Sequence, residues 1–510
     1  MTRRPVLALL ALALLGPRLA AAHPTDLGEI VPADAVLYVT SDGIGALQSS
    51  LTDALSAVAP GAGASMVALA LAGIPGLDRV DRARPVSIAI LPSGGRLIAL
   101  PVRDPRAFAE ELRSSPASRG TSVTAGAGHS LVTIGRVPPL DVLRRQPMAK
   151  PPELAGDVRG FVNLAALSAM RNDTSDPAAA AMLRDAAAAV PRVDFALRAS
   201  RAGMELEAAF APAGDGVMAV LARTRVPSSP NRFLAAVPAG SVIVGTAYVT
   251  DELAAAAEAA LERLARPLTV PVRQRVALRR MERRARRLSS LTRGESAFAV
   301  AARGDASSLS IIQAYACRDV RRTRILLRKL WRGGVLAPGL EAKTELRVAA
   351  GRIGDVPVDE QVVRLAATEH ATEPAAEHLA RLYGEPIRYA YPTGAVISTV
   401  GPGGRERLEA SLASFAAGTV DPDVALALTP GTVLAVAWDV GALARMARSL
   451  EPAGLAPLSA GPGERSTYAT LRITPQAGSV DVVLGLPSAS VREMPTALAR
   501  ALAQAAVGPR

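Results

Sequence analysis

The stretch VPADAVLYVTSD (31–42) returns, altered, as VPAGSVIVGTAYVTDE (237–252). Both begin Val-Pro-Ala, run through apolar and β-branched residues, and end on Ser/Thr and Asp. A helical pattern rich in alanine follows each, GALQSSLTDALSAV in the first copy and ELAAAAEAALERLA in the second. Proline suits the first residue of a strand, where its missing N–H costs little. The closing hydroxyl and carboxyl residues suit helix N-caps, which accept the backbone N–H groups left over in a first turn. Pro32 is therefore read as opening a strand, with Ser41 or Asp42 handing it to a helix.

The order continues beyond this pair, which is how a repeat architecture announces itself. RPVSIAILPSGGRLIALPVRDPRAFAEEL (84–112) and GESAFAVAARGDASSLSIIQAYACRDVRRTRILLRKL (294–330) each read as a hairpin followed by a helix. In both, an Arg-Asp pair (Arg103-Asp104, Arg318-Asp319) stands where the helix begins, and an aspartate there favours the positive end of the helix dipole. GHSLVTIGRVPPLDVLRR (128–145) matches GAVISTVGPGGRERLEASL (394–412) as strand, Gly/Pro turn and helix. GDVRGFVNLAALSAM (156–170) matches PGTVLAVAWDVGALARM (430–446), with Asn163 and Asp439 at the capping position. RVDFALRASRAGMELEAAFAP (192–212) and STYATLRITPQAGSVDVVLGLP (466–487) are both hairpins with a glycine-containing turn.

These patterns predict an α+β protein of two tandem related modules, each a curved, mainly antiparallel sheet with helices on one face. The modules span 30–225 and 226–490, joined at RTRVPSSPNRF (223–233). The second carries an insertion near 332–386 that includes the hairpin-like TELRVAAGRIGDVPVDEQVVRL (344–365). Residues 491–510 read as a C-terminal helix and tail. Alternation is only partial in HSLVTIG and MELEAAF, so the other sheet face is expected to be solvated or to cover a cavity.

The N-terminus reads as an export signal over residues 1–22. Arg3 and Arg4 precede a ten-residue apolar stretch, Val6–Leu15, and Ala20-Ala21-Ala22 offers a cleavage site before His23. That stretch is too short for a membrane span, which needs about 20 apolar residues. No cysteine follows it, so a lipoprotein anchor is not expected. The chain is read as soluble and periplasmic or extracellular, with no transmembrane segment. Of 58 basic residues only Lys150, Lys329 and Lys343 are lysine. Alongside abundant Ala, Gly and Pro, this arginine excess reflects a GC-rich coding sequence and is not by itself a phosphate-binding signal. Cys317, the one cysteine, excludes an intramolecular disulfide and reads as a buried, inert thiol.

The element order resembles bacterial envelope proteins of actinobacteria, cyanobacteria and myxobacteria that are catalogued only as a domain of unknown function. The features shared are the opening Val-Pro-Ala-Asp strand VPADAVLYV, the strand-Asp-helix segment VPVRDPRAF and the Gly-acid-apolar strand GESAFAVA. The resemblance implies an envelope location and supplies no catalytic residues.

No catalytic motif stands out. G-x-S-x-G is absent, the three lysines allow no S-x-x-K, and no P-loop opens a helix. GPGGRERL (401–408) is read as a tight strand-to-helix turn, although its backbone N–H groups with Arg405 or Arg407 have the makings of an anion seat. TEHATEPAAEH, with His370 and His378, lacks metal-ligand spacing and reads as a solvated loop; no metal or other cofactor is expected. With 3% aromatic residues and tryptophan only at 331 and 438, a carbohydrate platform is disfavoured.

The segment RQRVALRRMERRARRLSSLTR (273–293) does stand out. Arg273, Arg275, Arg279, Arg280, Arg283, Arg284, Arg286 and Arg287 face a single acid, Glu282. Ala277, Met281, Ala285, Leu288 and Leu291 recur at helical spacing. The apolar stripe is narrow and lacks aromatic anchors, so the helix is read as docked on its own module with a charged face outward. The partner considered for that face is an anionic lipid or another envelope component; export and the lack of interleaved aromatics argue against nucleic acid. Three function classes follow. The favoured one is a noncatalytic envelope protein with a binding or structural role. The alternatives are a carrier of a lipid or other apolar ligand under the sheets, and an enzyme without a recognisable motif.

Overall fold

A computed structural model gives the fold and describes residues 27, 30–46, 48–50, 79–114, 121–126, 129–150, 152–170, 177–200, 202–265, 283–284, 286–301, 309–330, 335–337, 340–367, 382–443 and 468–488. These fall into two compact units. One holds the chain up to Arg223 together with 476–488; the other is Thr224–Pro475.

The first unit contains β1 (Leu37–Ser41), β2 (Val86–Ile90), β3 (Arg96–Leu100), β4 (Thr121–Gly126), β5 (His129–Ile134), β6 (Val158–Asn163), β7 (Arg192–Ser200) and β8 (Gly203–Phe210). Its helices are α1 (Pro105–Ser114), α2 (Leu140–Leu143), α3 (Leu164–Met170), α4 (Pro177–Ala189) and α5 (Val217–Arg223). Every pairing is antiparallel. β1 is central, with Val39 opposite Ile88 on one side and opposite Gly160 on the other. By hydrogen-bonded neighbours the order is β4-β5-β3-β2-β1-β6-β7-β8.

The second unit contains β9 (Ile243–Val249), β10 (Gly294–Ala301), β11 (Ser310–Ala316), β12 (Val335–Ala337), β13 (Leu340–Ile353), β14 (Val356–Ala367), β15 (Ile387–Ala390), β16 (Ala395–Val400), β17 (Leu434–Asp439) and β18 (Tyr468–Pro475). Its helices are α6 (Asp251–Ala265), α7 (Val320–Leu330), α8 (Gly404–Ala417) and α9 (Pro422–Ala427), with a 3-10 turn at Arg232–Ala236. Here β9 is central, paired to β10 and β17. The order is β12-β13-β14-β15-β16-β11-β10-β9-β17-β18, again wholly antiparallel. The last strand, β19 (Val480–Pro487), belongs to the first unit and pairs with β8 along its whole length. The sequence reading ran this segment on with the second module.

The expected α+β class with antiparallel sheets is what the chain forms, but helices on one face is corrected to helices on both. The reason lies in the central strands, where side chains of both parities are apolar and must be covered. In the first unit Val39, Val86, Val132 and Leu197 pack beneath Phe108 and Leu112 of α1. On the opposite face Tyr38, Leu97, Leu131 and Phe161 pack against Leu27, Val31 and Leu143 of α2. The second unit repeats the device. Val244, Ile312, Ile397 and Ala435 lie under Phe233 and Leu408, while Val396, Tyr389 and Tyr391 lie under Leu327 of α7. Gly160 lets the sheet close: a Cβ there would stand 2.1 Å from the Tyr38 carbonyl oxygen and 2.8 Å from the Phe195 ring.

The predicted caps form at Asp104, Asp319, Asn163, Asp439 and Thr250. They do not form at the opening strand, where Ser41 Oγ accepts only from Gly43 N–H at 3.5 Å and Asp42 pairs with Arg159 at 3.3 Å. Asp104 Oδ1 accepts the N–H groups of Arg106 (3.1 Å) and Ala107 (3.0 Å) at the start of α1. Asp319 Oδ1 does the same for Arg322 (2.9 Å) before α7. Asn163 Oδ1 accepts from Ala166 (3.0 Å) and Asp439 Oδ1 from Ala442 (2.9 Å). Thr250 Oγ1 accepts from Leu253 (3.1 Å) and caps α6. Pro32 opens no long strand; it forms an isolated bridge with Met148, and β1 begins at Leu37.

Asp104→Ala and Asp319→Ala are each expected to cost about 1 kcal/mol of stability, the usual worth of a cap. Asp34→Ala is expected to fall within about 0.5 kcal/mol, since exposed Asp34 makes no hydrogen bond or ion pair among the described residues. Urea unfolding of the three variants measures this; an Asp34 effect as large as the cap effects would contradict it.

Candidate functional site

Strands β9 and β10 place three open polar groups at one cleft of the second unit. Tyr248 and Glu295 are directly opposite in the ladder, and Thr246 lies two residues before Tyr248 on the same side. The cleft is open to solvent on one side and spans about 340 Å³. Leu234, Leu428, Pro227 and Pro430 supply its apolar walls. Asn231 reaches it too, but its amide is occupied, accepting from Phe233 N–H at 2.9 Å and donating to the Ser296 carbonyl at 2.9 Å.

Glu295 is a half-buried acid with little to hold it. Its only ion partner among the described residues is Arg232, at 4.0 Å. Arg232 is held elsewhere, with Nη2 donating to the Gly394 carbonyl (3.2 Å) and the guanidinium 4.7 Å over the Phe233 ring. Burial raises the Glu295 pKa, and the attraction of Arg232 offsets this only in part.

Asp359 and Glu385, by contrast, are fully engaged. Asp359 on β14 has no exposed side-chain surface. It takes Nε of Arg324 at 2.6 Å and a second, shorter contact from Arg324 Nη2, forming a two-pronged pair. The Ala349 N–H (2.8 Å) and the Tyr391 hydroxyl (3.3 Å) also donate to it. Ala349 has a left-handed φ of 49° at the bulge where the β13–β14 register shifts, and that conformation aims its N–H at the carboxylate. Desolvation pushes the Asp359 pKa up, but the Arg324, Ala349 and Tyr391 hydrogen bonds outweigh it, so the net shift is downward. Burial first, then the Asp359 charge, raises the Tyr391 phenol.

The glycine turn GPGGRERL also has its anion already. Gly403, left-handed at φ 67°, precedes α8, and its N–H donates to Glu385 Oε1 at 2.9 Å. Burial would raise Glu385, but the Gly403 N–H and then Arg388 (3.1 Å) prevail and lower it. Arg405 pairs with Glu409 at 3.1 Å along the helix. The tight-turn reading holds, with a side chain of the protein occupying the seat.

Of the arginine-rich segment, Arg273, Arg275, Arg279 and Arg280 lie outside the described residues. Residues 286–291 are helical, and Leu288 packs against the cluster around Tyr389 and Leu327. Arg284 Nη1 donates to the Lys329 carbonyl, and Arg286 meets Glu258 at 3.6 Å. Arg283 and Arg287 are exposed. Among the described arginines between 273 and 287, the structure thus engages Arg284 and Arg286 and leaves Arg283 and Arg287 outward. His370, His378 and Trp331 lie outside the described residues, and Trp438 is half-buried in β17. Cys317 is 7% exposed, its thiol 3.3 Å from Thr323 Oγ1.

Sequence reasoning missed both Glu295 and Asp359. Asp359 carried a usable signal: with Gln361 it shares strand parity with Val363, so two polar residues occupy an inward row. Glu295 had none, because its openness depends on where Arg232 goes.

No family model matches the chain, and no curated protein matches it. Among solved structures, crystal form III of TP0453 is similar at 13% identity, covering 39% of this chain and 82% of that one, with a TM-score of 0.23. Crystal form I of TP0453 is similar at 15% identity, covering 38% and 80%, with a TM-score of 0.21. Superposition this poor assigns no function. Among the described residues no helix is long and apolar enough to cross a membrane.

Asp359→Ala should destabilise the protein by about 3 kcal/mol, because it strands a largely buried guanidinium. Since the folded-state pKa of Asp359 is depressed, its contribution is present above the ordinary value near 3.8 and lost as pH falls below it. Denaturant titrations at pH 7 and at acid pH should show the wild-type advantage over Asp359→Ala shrinking with acidification; a constant gap would contradict the assignment.

Proposed function

We propose that this chain is an exported, noncatalytic protein of the cell envelope, built from two copies of one antiparallel module, that holds a partner without transforming it. Export rests on residues 1–22, with their two arginines, short apolar run and alanine cleavage site. Duplication draws support from topology. The order β4-β5-β3-β2-β1-β6-β7 in the first unit matches β15-β16-β11-β10-β9-β17-β18 in the second, strand for strand. β8 and β19 pair with each other within the first unit, Gly203 opposite Pro487 and Phe210 opposite Val480.

The observation that carries the binding reading is a contrast between carboxylates. Asp359 and Glu385 are bound by arginine and backbone N–H groups, which serves structure. Glu295 stands in a cleft without such partners, which serves a ligand. The outward Arg283 and Arg287 add a second surface, suited to an anionic envelope component. A carrier of apolar ligands is the second reading. It is favoured by one apolar row across three strands, Leu197 opposite Leu206 opposite Leu484, with Leu206 37% exposed.

Cell fractionation should find the chain outside the cytoplasm, beginning near His23, and native mass spectrometry of protein from its own envelope should find a bound mass. An intact cytoplasmic chain would overturn the proposal, and a copurified lipid would favour the second reading. For the charged surface, Arg283→Gln with Arg287→Gln should weaken low-salt binding to anionic vesicles by at least about tenfold, at about 1 kcal/mol per basic residue. Unchanged binding would remove these arginines from the partner surface.

A further inference from the structure

We propose that the cleft between β9, β10 and the 3-10 turn binds a primary ammonium group, seated on Glu295, Thr246 and Tyr248. The inference rests on the binding reading above and names the ligand chemistry. An –NH3⁺ group carries three donors and no acceptor. The cleft offers three acceptors on adjacent strand positions: the Glu295 carboxylate, the Thr246 hydroxyl and the Tyr248 hydroxyl. None of the three makes a side-chain hydrogen bond among the described residues, although Thr246 is only 6% exposed.

Charge and donor count select the same ligand. The acceptors can be met only by a cation that carries N–H groups, which an ammonium has and a quaternary ammonium lacks. Leu234 and Leu428 are among the cleft's lining and give an apolar surface for the methylene chain behind the charge. An anion would meet the carboxylate head on. Arg232 competes for Glu295 only from 4.0 Å, because the Gly394 carbonyl and the Phe233 ring hold its guanidinium. The rise in the Glu295 pKa through burial fits a carboxylate still lacking its counter-charge.

The test is calorimetric titration of the full chain at low salt with methylammonium, 1,4-diaminobutane and glycylglycine amide, with tetramethylammonium as the donor-free control. Methylammonium should bind, and tetramethylammonium should neither bind nor compete. Tighter binding of the diamine points to a free amine as the natural ligand, and tighter binding of the dipeptide to a peptide N-terminus. Glu295→Gln should lower affinity at least about tenfold, and Thr246→Val and Tyr248→Phe each several-fold, as loss of a hydrogen bond to a charged group predicts. Circular dichroism and thermal melting check each variant's fold. If Glu295→Gln does not fold, the Thr246→Val/Tyr248→Phe double variant decides. Absence of binding by the wild-type chain, equal binding of tetramethylammonium, or folded variants with wild-type affinity would each overturn the proposal. An exported chain that retains another bound mass in native spectrometry would leave the binding reading standing while this ligand assignment falls.

Discussion

Everything in each unit hangs from one strand that is hydrogen-bonded on both edges, and in the first unit that strand is covered on both faces. β1 holds β2 and β6, and β9 holds β10 and β17. A strand so placed cannot be half polar. Tyr38 is 2% exposed on one side of β1 and Val39 8% on the other, so two separate sets of helices and loops are required. That requirement explains why α1 and α2 lie on opposite faces, and α7 and α8 likewise. It also explains Gly160, which brings Tyr38 and Phe195 together at a distance no Cβ would permit.

The second unit adds a polar device on one of these faces. Asp359 and Arg324 form a pair whose acid is wholly buried, and such a pair is stable only when its remaining lone pairs are hydrogen-bonded. Ala349 and Tyr391 meet that need, Ala349 by adopting a backbone conformation unusual for a residue with a side chain. The bulge in β13 and the buried acid in β14 therefore explain each other. Without the acid, the left-handed alanine would have no compensation; without the bulge, one carboxylate oxygen would lose a donor.

Glu295 shows the same chemistry with a different outcome. It too is an acid on a strand with an arginine nearby, but Arg232 is drawn to a carbonyl and a phenylalanine ring. The difference between a structural carboxylate and a ligand-binding one rests here on which acceptor captures a guanidinium. The arginine-rich segment divides in a similar way, Arg284 and Arg286 bound to the fold and Arg283 and Arg287 left outside it.

The sequence by itself determined the local grammar: strand, acid or amide, helix. Asp104, Asp319, Asn163, Asp439 and Thr250 cap where they were read, because capping depends on residues two or three positions away. It also located the β13–β14 hairpin, whose two-residue turn Gly354-Asp355 carries its own glycine signal. Tertiary structure decided what depends on distant partners. It joined β1 to β6 across more than a hundred residues, laid β19 on β8, and covered a sheet face that partial alternation suggested was open. It also chose Asp359 for burial and left Glu295 exposed to the cleft. Each is a strand acid with an arginine nearby, and what separates them is the position of Arg324 and Arg232, which only the packed fold sets.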